Sequence, residues 1–187
     1  MKTIYEHMEI VELHDLEQDS IKRGIHIFGS AKGEWLLRFV QEHKPKKVLE
    51  LGTANGYSGC ILGSEGAELT TIDINSQIVK EAEENFKLRG VRAKIIVGNG
   101  VEIVQQMAQR ERFQAYYNII FIDFAKKQYF TVLEDCLRMV KKGGYIIADN
   151  ITMEVCADFK EKVLTDARLQ TELILIKDGL SVSRRIV

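Results

Sequence analysis

The sequence predicts an α/β fold built on a doubly wound, seven-stranded sheet that is mostly parallel and carries one antiparallel hairpin at its C-terminal edge. Short runs rich in Ile, Val and Leu alternate with longer segments of helical periodicity, a pattern typical of right-handed β-α-β crossovers. The runs do not alternate cleanly between polar and apolar residues, as expected for parallel strands covered on both faces. Asp178-Gly179, between the last two runs, indicates the hairpin.

Each element is predicted from its local pattern. The predicted strands are Lys47–Leu51, Glu68–Asp73, 93–97, 118–123, 145–149, 172–176 and 181–186. Helices are predicted at 3–19, 31–43, 76–89, 101–110, 128–141 and 153–165, where apolar residues recur three and four positions apart. The helix at 128–141 is expected to end with the cationic Lys141 and Lys142, and Gly143-Gly144 would follow it.

Length and charge restrict the class of protein. The 187 residues have the size of one domain, with N-terminal helices in residues 1–45 and the α/β core in residues 46–187. Lys and Arg number 26 and Asp and Glu number 27, so the formal net charge is −1. A chain of this charge lacks the global positive field that favours nucleic acids or anionic membranes.

The sequence also indicates the cellular compartment. No apolar run approaches the about 20 residues that span a bilayer, and residues 1–12 lack a basic-then-apolar leader. Cys60, Cys136 and Cys156 form no C-x-x-C pair. We therefore expect a cytoplasmic protein with no membrane span, disulfide framework or zinc knuckle.

The loop after the first predicted strand is the expected ligand site, because open α/β sheets bind ligands beyond the carboxyl ends of their strands. Gly52 and Gly56 would let a ligand approach the backbone closely, but their spacing is not the G-x-G-x-x-G of dinucleotide sites. Glu50 would repel a pyrophosphate and favour an ammonium or sulfonium group. Asp73 can accept hydrogen bonds from a ribose diol. These features favour S-adenosylmethionine, and a purely structural turn is the alternative.

Oxygen-bearing side chains follow two further strands. Asp123 ends the fourth predicted strand, and Asp149-Asn150 end the fifth. If these strands are neighbours, two carboxylates and an amide carbonyl form an incomplete set of hard ligands that suits Mg²⁺, Mn²⁺ or Ca²⁺. The alternative interpretation is that these side chains cap the helices that follow them.

Lys126 is a candidate general base. It lies three residues beyond Asp123, and a nearby dication would disfavour its protonated form. A solvated lysine at a helix start is the alternative, although basic residues are slightly unfavourable there. The four histidines, His7, His14, His26 and His43, are interpreted as surface or packing residues.

Five motifs in order resemble the cation-dependent O-methyltransferases of the catechol and caffeoyl-CoA type. They are VLELGTANGYS, TTID, FIDFAKKQY, GGYIIADN and DGLSVSRR. The segment Gly29-Ser30-Ala31-Lys32-Gly33 is similar to the catechol enzymes in particular, and the resemblance extends from about Gly29 to the C-terminus. It implies the Rossmann-like fold of class I methyltransferases, and either a monomer or a homodimer.

The resemblance also implies roles for individual residues. S-adenosylmethionine would be bound by Glu50, Gly52, Thr53, Gly56, Tyr57, Ser58, Asp73, Gly100, Val101 and Asp123. A divalent cation, usually Mg²⁺, would be held by Asp123, Asp149 and Asn150. The acceptor would contact Lys126, which would act as general base, and Asn150. The second hydroxyl of the acceptor would contact Glu172. The sequence departs from the family pattern at Ala54, Ala125 and Glu154, which predicts a wider or more polar acceptor pocket.

The function predicted from these features is metal-dependent O-methylation of one hydroxyl of a catechol-like small molecule. A tRNA methyltransferase acting on wobble hydroxyuridine is the main alternative, with Lys141-Lys142 and Arg184-Arg185 as possible basic patches. An NAD-dependent oxidoreductase is disfavoured by the glycine spacing and Glu50. A non-catalytic S-adenosylmethionine-binding protein would leave Lys126 and the three metal donors unexplained.

Overall fold

A computed structural model describes residues 8–187 and confirms the predicted α/β sheet. Its strands are β1 (Lys47–Leu51), β2 (Glu68–Asp73), β3 (Arg92–Val97), β4 (Tyr117–Ile122), β5 (Val140–Asp149), β6 (Leu169–Ile174) and β7 (Leu180–Arg185). They are arranged in the order β3-β2-β1-β4-β5-β7-β6. Strands β1 to β5 pair in parallel, and β7 pairs antiparallel with both β5 and β6. The strand order reverses between β1 and β4, which places the expected ligand site there.

Helices cover both faces of the sheet. They are α1 (His14–Lys22), α2 (Ser30–His43), α3 (Tyr57–Gly63), α4 (Ile78–Leu88), α5 (Gly100–Ala108), α6 (Tyr129–Met139) and α7 (Ala157–Thr165). One apolar core joins the sheet to α5, α6 and α7, and a second joins it to α1, α2, α3 and α4. Within residues 8–187, no helix combines the length and the hydrophobicity needed to cross a membrane.

The N-terminal helix differs from its prediction at both ends. Residues 1–7, including His7 and the start of the helix predicted at 3–19, lie outside the described residues. The described part begins with a short 3₁₀ turn at Ile10–Leu13, and α1 continues to Lys22. Leu13 and Leu16 are buried in the core shared with α2, so tertiary packing fixes this segment.

Strand β5 corrects the prediction that a helix continues to Lys141. Helix α6 ends at Met139, and Val140 is already extended, with φ −75° and ψ 141°. Val140 pairs with Tyr117 of β4, so Lys141 and Lys142 belong to a strand. Val140 continues the spacing of the apolar residues of α6 by coincidence. Its pairing with β4, which is distant in sequence, decides its conformation.

Helix α3 is absent from the sequence prediction. All its residues, from Tyr57 to Gly63, are buried, so no polar face produces the amphipathic pattern from which helices are predicted. It follows the glycine loop directly and packs against α2 and α4. The packing of this helix therefore fixes the far end of the loop that connects it to β1.

The predicted C-terminal hairpin is present, with a longer connection than a two-residue Asp-Gly turn. Strand β6 ends at Ile174 and β7 begins at Leu180, so residues 175–179 form the loop. Lys177 and Gly179 have positive φ angles of 53° and 73°, and these left-handed residues reverse the direction of the chain. Asp178 lies between them and faces the edge of the sheet where β5 ends.

Candidate functional site

A cavity of about 1030 Å³ lies at the carboxyl ends of β1, β2, β4 and β5. This is the edge at which the strand order reverses. Most of the predicted site residues line it: Gly52, Thr53, Tyr57, Ser58, Asp73, Gly100, Val101, Asp123, Lys126, Asp149 and Asn150. A volume at the upper end of the usual 300–1,000 Å³ range has room for two ligands side by side.

The structure gives Gly52 and Gly56 a packing role. A Cβ on Gly52 would lie 2.1 Å from the carbonyl oxygen of Asp123, and its φ is +103°. Gly56 has φ +90°, and a Cβ there would approach Phe86 to 3.0 Å. Gly52 lines the cavity and Gly56 lies outside its lining. Close contact with β4 and α4 therefore requires both glycines, whether or not a ligand is bound.

Glu50 lies under the cavity floor and is completely buried. Its two carboxylate oxygens accept hydrogen bonds from Ser58 Oγ and Thr71 Oγ1, each at 2.6 Å. Burial raises the pKa of Glu50 to about 8, and these two hydrogen bonds oppose the shift. Because Ser58 lines the cavity and Glu50 does not, Glu50 can act on a bound cation by charge and through Ser58.

Asp73 lies on the opposite side of the glycine loop from β4. Its Oδ2 accepts a hydrogen bond from the backbone N–H of Ala54 at 2.9 Å, and its Oδ1 accepts one from Asn75 at 2.9 Å. Ala54 adopts a left-handed conformation, with φ +43°, at the position where the family resemblance led us to expect glycine. The Asp73 hydrogen bond helps to hold this loop, and each carboxylate oxygen keeps a lone pair for a further donor.

Asp123 and Asp149 lie side by side at the ends of neighbouring strands. Parallel pairing of Ile122 with Ala148 places the next residue of each strand in register, and neighbouring strands are about 4.8 Å apart. Burial, followed by the charge of Asp123, raises the pKa of Asp149, and Lys32 opposes this shift. The predicted convergence of the two carboxylates is therefore present in the fold.

Asn150 completes the candidate ligand set. Its backbone is left-handed, with φ +58°, which Asn tolerates better than most residues. No group of three His, Cys, Asp or Glu side chains suited to a metal occurs among residues 8–187, so a cation here would depend on two carboxylates and the Asn150 carbonyl. Such an all-oxygen set with open positions suits a hard cation such as Mg²⁺.

Lys126 lies at the cavity wall beside the carboxylates. Its ammonium donates a hydrogen bond to Asp123 Oδ1 at 2.9 Å, and its side chain is 30% exposed. Neighbouring Lys127 is exposed and lies outside the cavity lining. Of these two consecutive lysines, the fold brings only Lys126 to the candidate site.

Lys32 also belongs to the candidate site, although the sequence analysis assigns it no role there. It is 3% exposed, and its ammonium forms ion pairs with Asp149 and with Asp178, the latter at 2.6 Å. The Asn150 side-chain amide also donates a hydrogen bond to Asp178. A signal was available, because Lys32 occupies the same buried face of α2 as Leu36 and Val40. A lysine on an apolar face needs a partner.

Asp178 pairs with both the Lys32 ammonium and the Asn150 amide in this network. Partial burial raises the pKa of Asp178, but the hydrogen bond and charge of Lys32, together with the Asn150 amide, outweigh burial and lower it below the usual value. Three carboxylates, from Asp123, Asp149 and Asp178, thus face two ammonium groups, from Lys32 and Lys126. This edge of the cavity keeps a net negative charge.

The structure does not bring Glu172 to the cavity. It lies on the edge strand β6, where it pairs with Val182, and it is outside the cavity lining. The family resemblance implies Glu172 by a count back from Asp178-Gly179-Leu180, but β6 ends at Ile174 and residues 175–179 form the loop. Asp178 is the acidic residue of this hairpin that lines the cavity.

The basic patches proposed for tRNA lie at the other end of the sheet. Arg184 pairs with Tyr145, and Asp149 pairs with Leu180, which separates the Arg184 level from the cavity by four residues, or about 13 Å along the strand. Arg185 donates hydrogen bonds to the carbonyl oxygens of Leu137 and Val140. The cavity lining instead includes Lys177 and His26, and the sequence predicts His26 to be a surface or packing residue.

Comparison with known proteins gives a consistent result. The family model described as O-methyltransferase matches residues 2–156. Caffeoyl-CoA O-methyltransferase of Stellaria longipes is 26% identical over 178 residues, covering 82% of this chain and 74% of that protein. Catechol O-methyltransferase of Sus scrofa is 29% identical over 146 residues, covering 74% and 77%.

A solved structure shows the same fold. The O-methyltransferase TomG of Streptomyces achromogenes, in complex with S-adenosylmethionine, superposes with a TM-score of 0.84 and 17% sequence identity. The alignment covers 99% of this chain and 93% of TomG. At this identity the similarity concerns the fold.

Proposed function

Because the chain belongs to the O-methyltransferase family, we propose that it transfers the methyl group of S-adenosylmethionine to one of two neighbouring hydroxyls of a small, catechol-like acceptor, with a divalent cation such as Mg²⁺ at the site. The observation that carries this proposal is the meeting of Asp123, Lys126, Asp149 and Asn150 with the glycine loop in one cavity. The curated relatives named above are described as caffeoyl-CoA and catechol O-methyltransferases, which supports an acceptor with adjacent hydroxyls.

The glycine-loop side of the cavity is the proposed cofactor site. Asp73 would accept hydrogen bonds from the ribose hydroxyls, since its oxygens keep free lone pairs beside the Ala54 N–H. Gly100 and Val101 at the start of α5 line the adjoining wall and would border the adenine. The methionine ammonium would lie near Ser58, above the buried Glu50 carboxylate. Such a cation would stabilise the ionised form of Glu50.

Asp123, Asp149 and Asn150 would hold the cation through their side-chain oxygens. Bound there, a divalent ion would stabilise the ionised form of a coordinated acceptor hydroxyl, as metals do for water. Each carboxylate is already paired with a lysine, Asp123 with Lys126 and Asp149 with Lys32. The net negative charge of the cluster favours cation entry, and the lysines limit how strongly a cation is held.

The neutral amine form of Lys126 Nζ, which a dication on Asp123 would favour, is the proposed proton acceptor for the hydroxyl that becomes methylated. A free phenol with a pKa of about 10 is ionised to only about one part in a thousand at pH 7, so removal of its proton is a substantial part of the barrier. S-adenosylmethionine, held beside Asp73 and Ser58, would supply its methyl group to the deprotonated oxygen and leave as the neutral thioether S-adenosylhomocysteine. The chain's main contribution is to hold the two reactants at attack distance.

The acceptor side of the cavity is open to several ring sizes. Phe28 and Met153 supply apolar surface, and the small side chain of Ala125 precedes Lys126. This composition supports a wider pocket than a flat aromatic slot. We therefore propose the vicinal diol as the recognised feature of the acceptor.

Transfer of label from isotopically labelled S-adenosylmethionine tests this function. The acceptor panel contains catechol and caffeate, with phenol as a matched acceptor that lacks the second hydroxyl, and undermodified tRNA. We expect label in the vicinal diols and little in phenol or tRNA. Labelling of phenol at the rate of catechol would contradict the diol requirement, and labelling of tRNA alone would replace the proposed acceptor class.

A further inference from the structure

The loop between β6 and β7 is tied to the segment that follows the candidate metal ligands. The backbone N–H of Thr152 donates to the carbonyl oxygen of Asp178 at 3.0 Å, and the Thr152 hydroxyl donates to the same oxygen at 2.9 Å. The N–H of Ile151 donates to the Gly179 carbonyl at 3.2 Å. These bonds hold the backbone of Asp178 next to Asn150, so the position of its carboxylate is fixed by the fold.

The two oxygens of the Asp178 carboxylate have different partners. Oδ1 accepts a hydrogen bond from the Lys32 ammonium at 2.6 Å, and Oδ2 accepts one from the side-chain amide of Asn150. A carboxylate paired with an ammonium accepts hydrogen bonds and has none to donate. The Asn150 atom that faces Asp178 must therefore be the nitrogen, which leaves the carbonyl oxygen Oδ1 on the other side of the amide.

We propose that Asp178 is a positioning residue that fixes the orientation of the Asn150 amide so that its carbonyl oxygen is the atom offered to a divalent cation. This inference rests on the metal-dependent function proposed above. The reversed amide would turn its oxygen toward a carboxylate and its N–H₂ toward the cation, and both contacts would be repulsive. Partners behind the ligating residues commonly set ligand orientation in this way, and their loss typically weakens metal binding by about 10–100-fold.

Binding of Mn²⁺ to the purified full-length protein tests the inference without reference to turnover. Affinity is measured by electron paramagnetic resonance for the unsubstituted protein, Asp178→Asn and Asp178→Glu. The Asn variant removes the negative charge and presents an amide to both Lys32 and Asn150. The Glu variant keeps the charge and displaces the carboxylate by one methylene. We expect both variants to bind Mn²⁺ at least about 10-fold more weakly.

The double variant Asp178→Asn, Asn150→Asp serves as the rescue. The amide introduced at position 178 could then donate its N–H to one oxygen of the carboxylate introduced at position 150, and the other oxygen would face the cavity. Asp tolerates the left-handed backbone at position 150 as Asn does. We expect recovery of most of the lost Mn²⁺ affinity. Because the carboxylate at position 150 also adds a negative ligand charge, the loss in Asp178→Glu, which keeps the total charge, is the result that separates orientation from charge.

The outcomes separate positioning from charge and from the parent proposal. If Asp178→Asn binds Mn²⁺ more weakly but Asp178→Glu binds it as tightly as the unsubstituted protein, the inference is overturned, because the negative charge alone would account for the weaker binding. Failure of the double variant to recover would also overturn it. If the unsubstituted protein itself does not bind Mn²⁺, the proposed metal site fails, and the inference fails with it. S-adenosylmethionine affinity, measured in parallel, should stay within a few-fold in all variants.

A metal-dependence profile adds a second readout. If Asp178 acts through Asn150, Asp178→Glu should raise the Mg²⁺ concentration needed for half-maximal methyl transfer by at least about 10-fold. A lower maximal rate with an unchanged Mg²⁺ requirement would indicate a role in acceptor contact, and would contradict the positioning role.

Discussion

Ser58 Oγ donates a hydrogen bond to the buried Glu50 carboxylate at 2.6 Å, and so links a group with no access to solvent to the surface of the cavity. Glu50 is buried by the packing of α3 and α4 over β1, with Gly59 and Phe86 among its surroundings. Its raised pKa means that the unliganded fold carries an unfavourable buried charge at high pH. A cationic ligand near Ser58 would offset that cost.

Glu50→Gln is expected to stabilise the unliganded protein at alkaline pH. The folded-state pKa of Glu50, about 8, lies above its reference value of 4.5. Between these values the native state keeps a proton that the unfolded chain has released, so native stability falls as the pH rises through this window. The neutral amide of the variant does not titrate and escapes this loss. The melting temperature of the variant should exceed that of the unsubstituted protein at about pH 9, with little difference near about pH 4.5.

Glu172→Gln is the control for this comparison, since Glu172 lies on the edge strand β6, outside the cavity lining. It should not reproduce the gain in melting temperature at alkaline pH that is expected of Glu50→Gln. A Glu50→Gln protein that melts lower than the unsubstituted protein at alkaline pH would mean that the carboxylate stabilises the unliganded fold.

The same Glu50→Gln substitution should weaken S-adenosylmethionine binding. Loss of a charged partner for the ligand's ammonium corresponds to about 1.5–3 kcal/mol, or roughly a 10–100-fold increase in Kd. Calorimetric titration with S-adenosylmethionine measures it. Unchanged affinity would place the ammonium away from Ser58 and Glu50, although the stability prediction could still hold.

Lys126→Ala is expected to lower the rate of methyl transfer by about 10²–10⁴-fold, the usual contribution of a general base, and to leave the Kd for S-adenosylmethionine nearly unchanged. Single-turnover kinetics with saturating cofactor measure the chemical step. Lys127→Ala is the matched control, because Lys127 is exposed and lies outside the cavity lining. Equal rates in the two variants would remove the base assignment.

Gly52→Ala should destabilise the protein far more than Gly66→Ala. Both glycines have positive φ, +103° and +78°, but a Cβ on Gly52 would lie 2.1 Å from the Asp123 carbonyl oxygen, and one on Gly66 would meet nothing within 4 Å. Backbone strain alone costs about 1–2 kcal/mol, which both variants share. Urea unfolding should show that Gly52→Ala loses at least about 2 kcal/mol more. Equal losses would contradict the close approach of the loop to β4.

The sheet could be predicted from the sequence because its strands are continuous apolar runs between clear turn signals. The sequence predicts a helix through Val140 and Lys141, the first two residues of β5, because Val140 continues the spacing of α6 and Gly143-Gly144 resemble a helix stop. Only the pairing of Val140 with Tyr117 shows this segment to be a strand. Helix α3 gave no signal because it is buried on every side.

The candidate site was partly predictable for a related reason. Asp73, Asp123 and Asp149 are strand-end residues, so the fold class alone places them at one edge. The Lys32–Asp178 ion pair joins residues 146 positions apart. The sequence around either residue therefore does not predict that the two are partners. The family resemblance implies Glu172 by a count back from Asp178-Gly179-Leu180, and the Asp-Gly dipeptide does not determine where β6 ends.

The most direct test of the central claim, that oxygen ligands on β4 and β5 bind a cation needed for methyl transfer, is the dependence of the reaction on divalent metal. Transfer to catechol is measured in excess EDTA and again after Mg²⁺ is added beyond the chelator. We expect transfer to cease in EDTA and to return with Mg²⁺. Full activity in EDTA would contradict the metal-dependent mechanism and would leave a methyltransferase that relies on Lys126 without a cation.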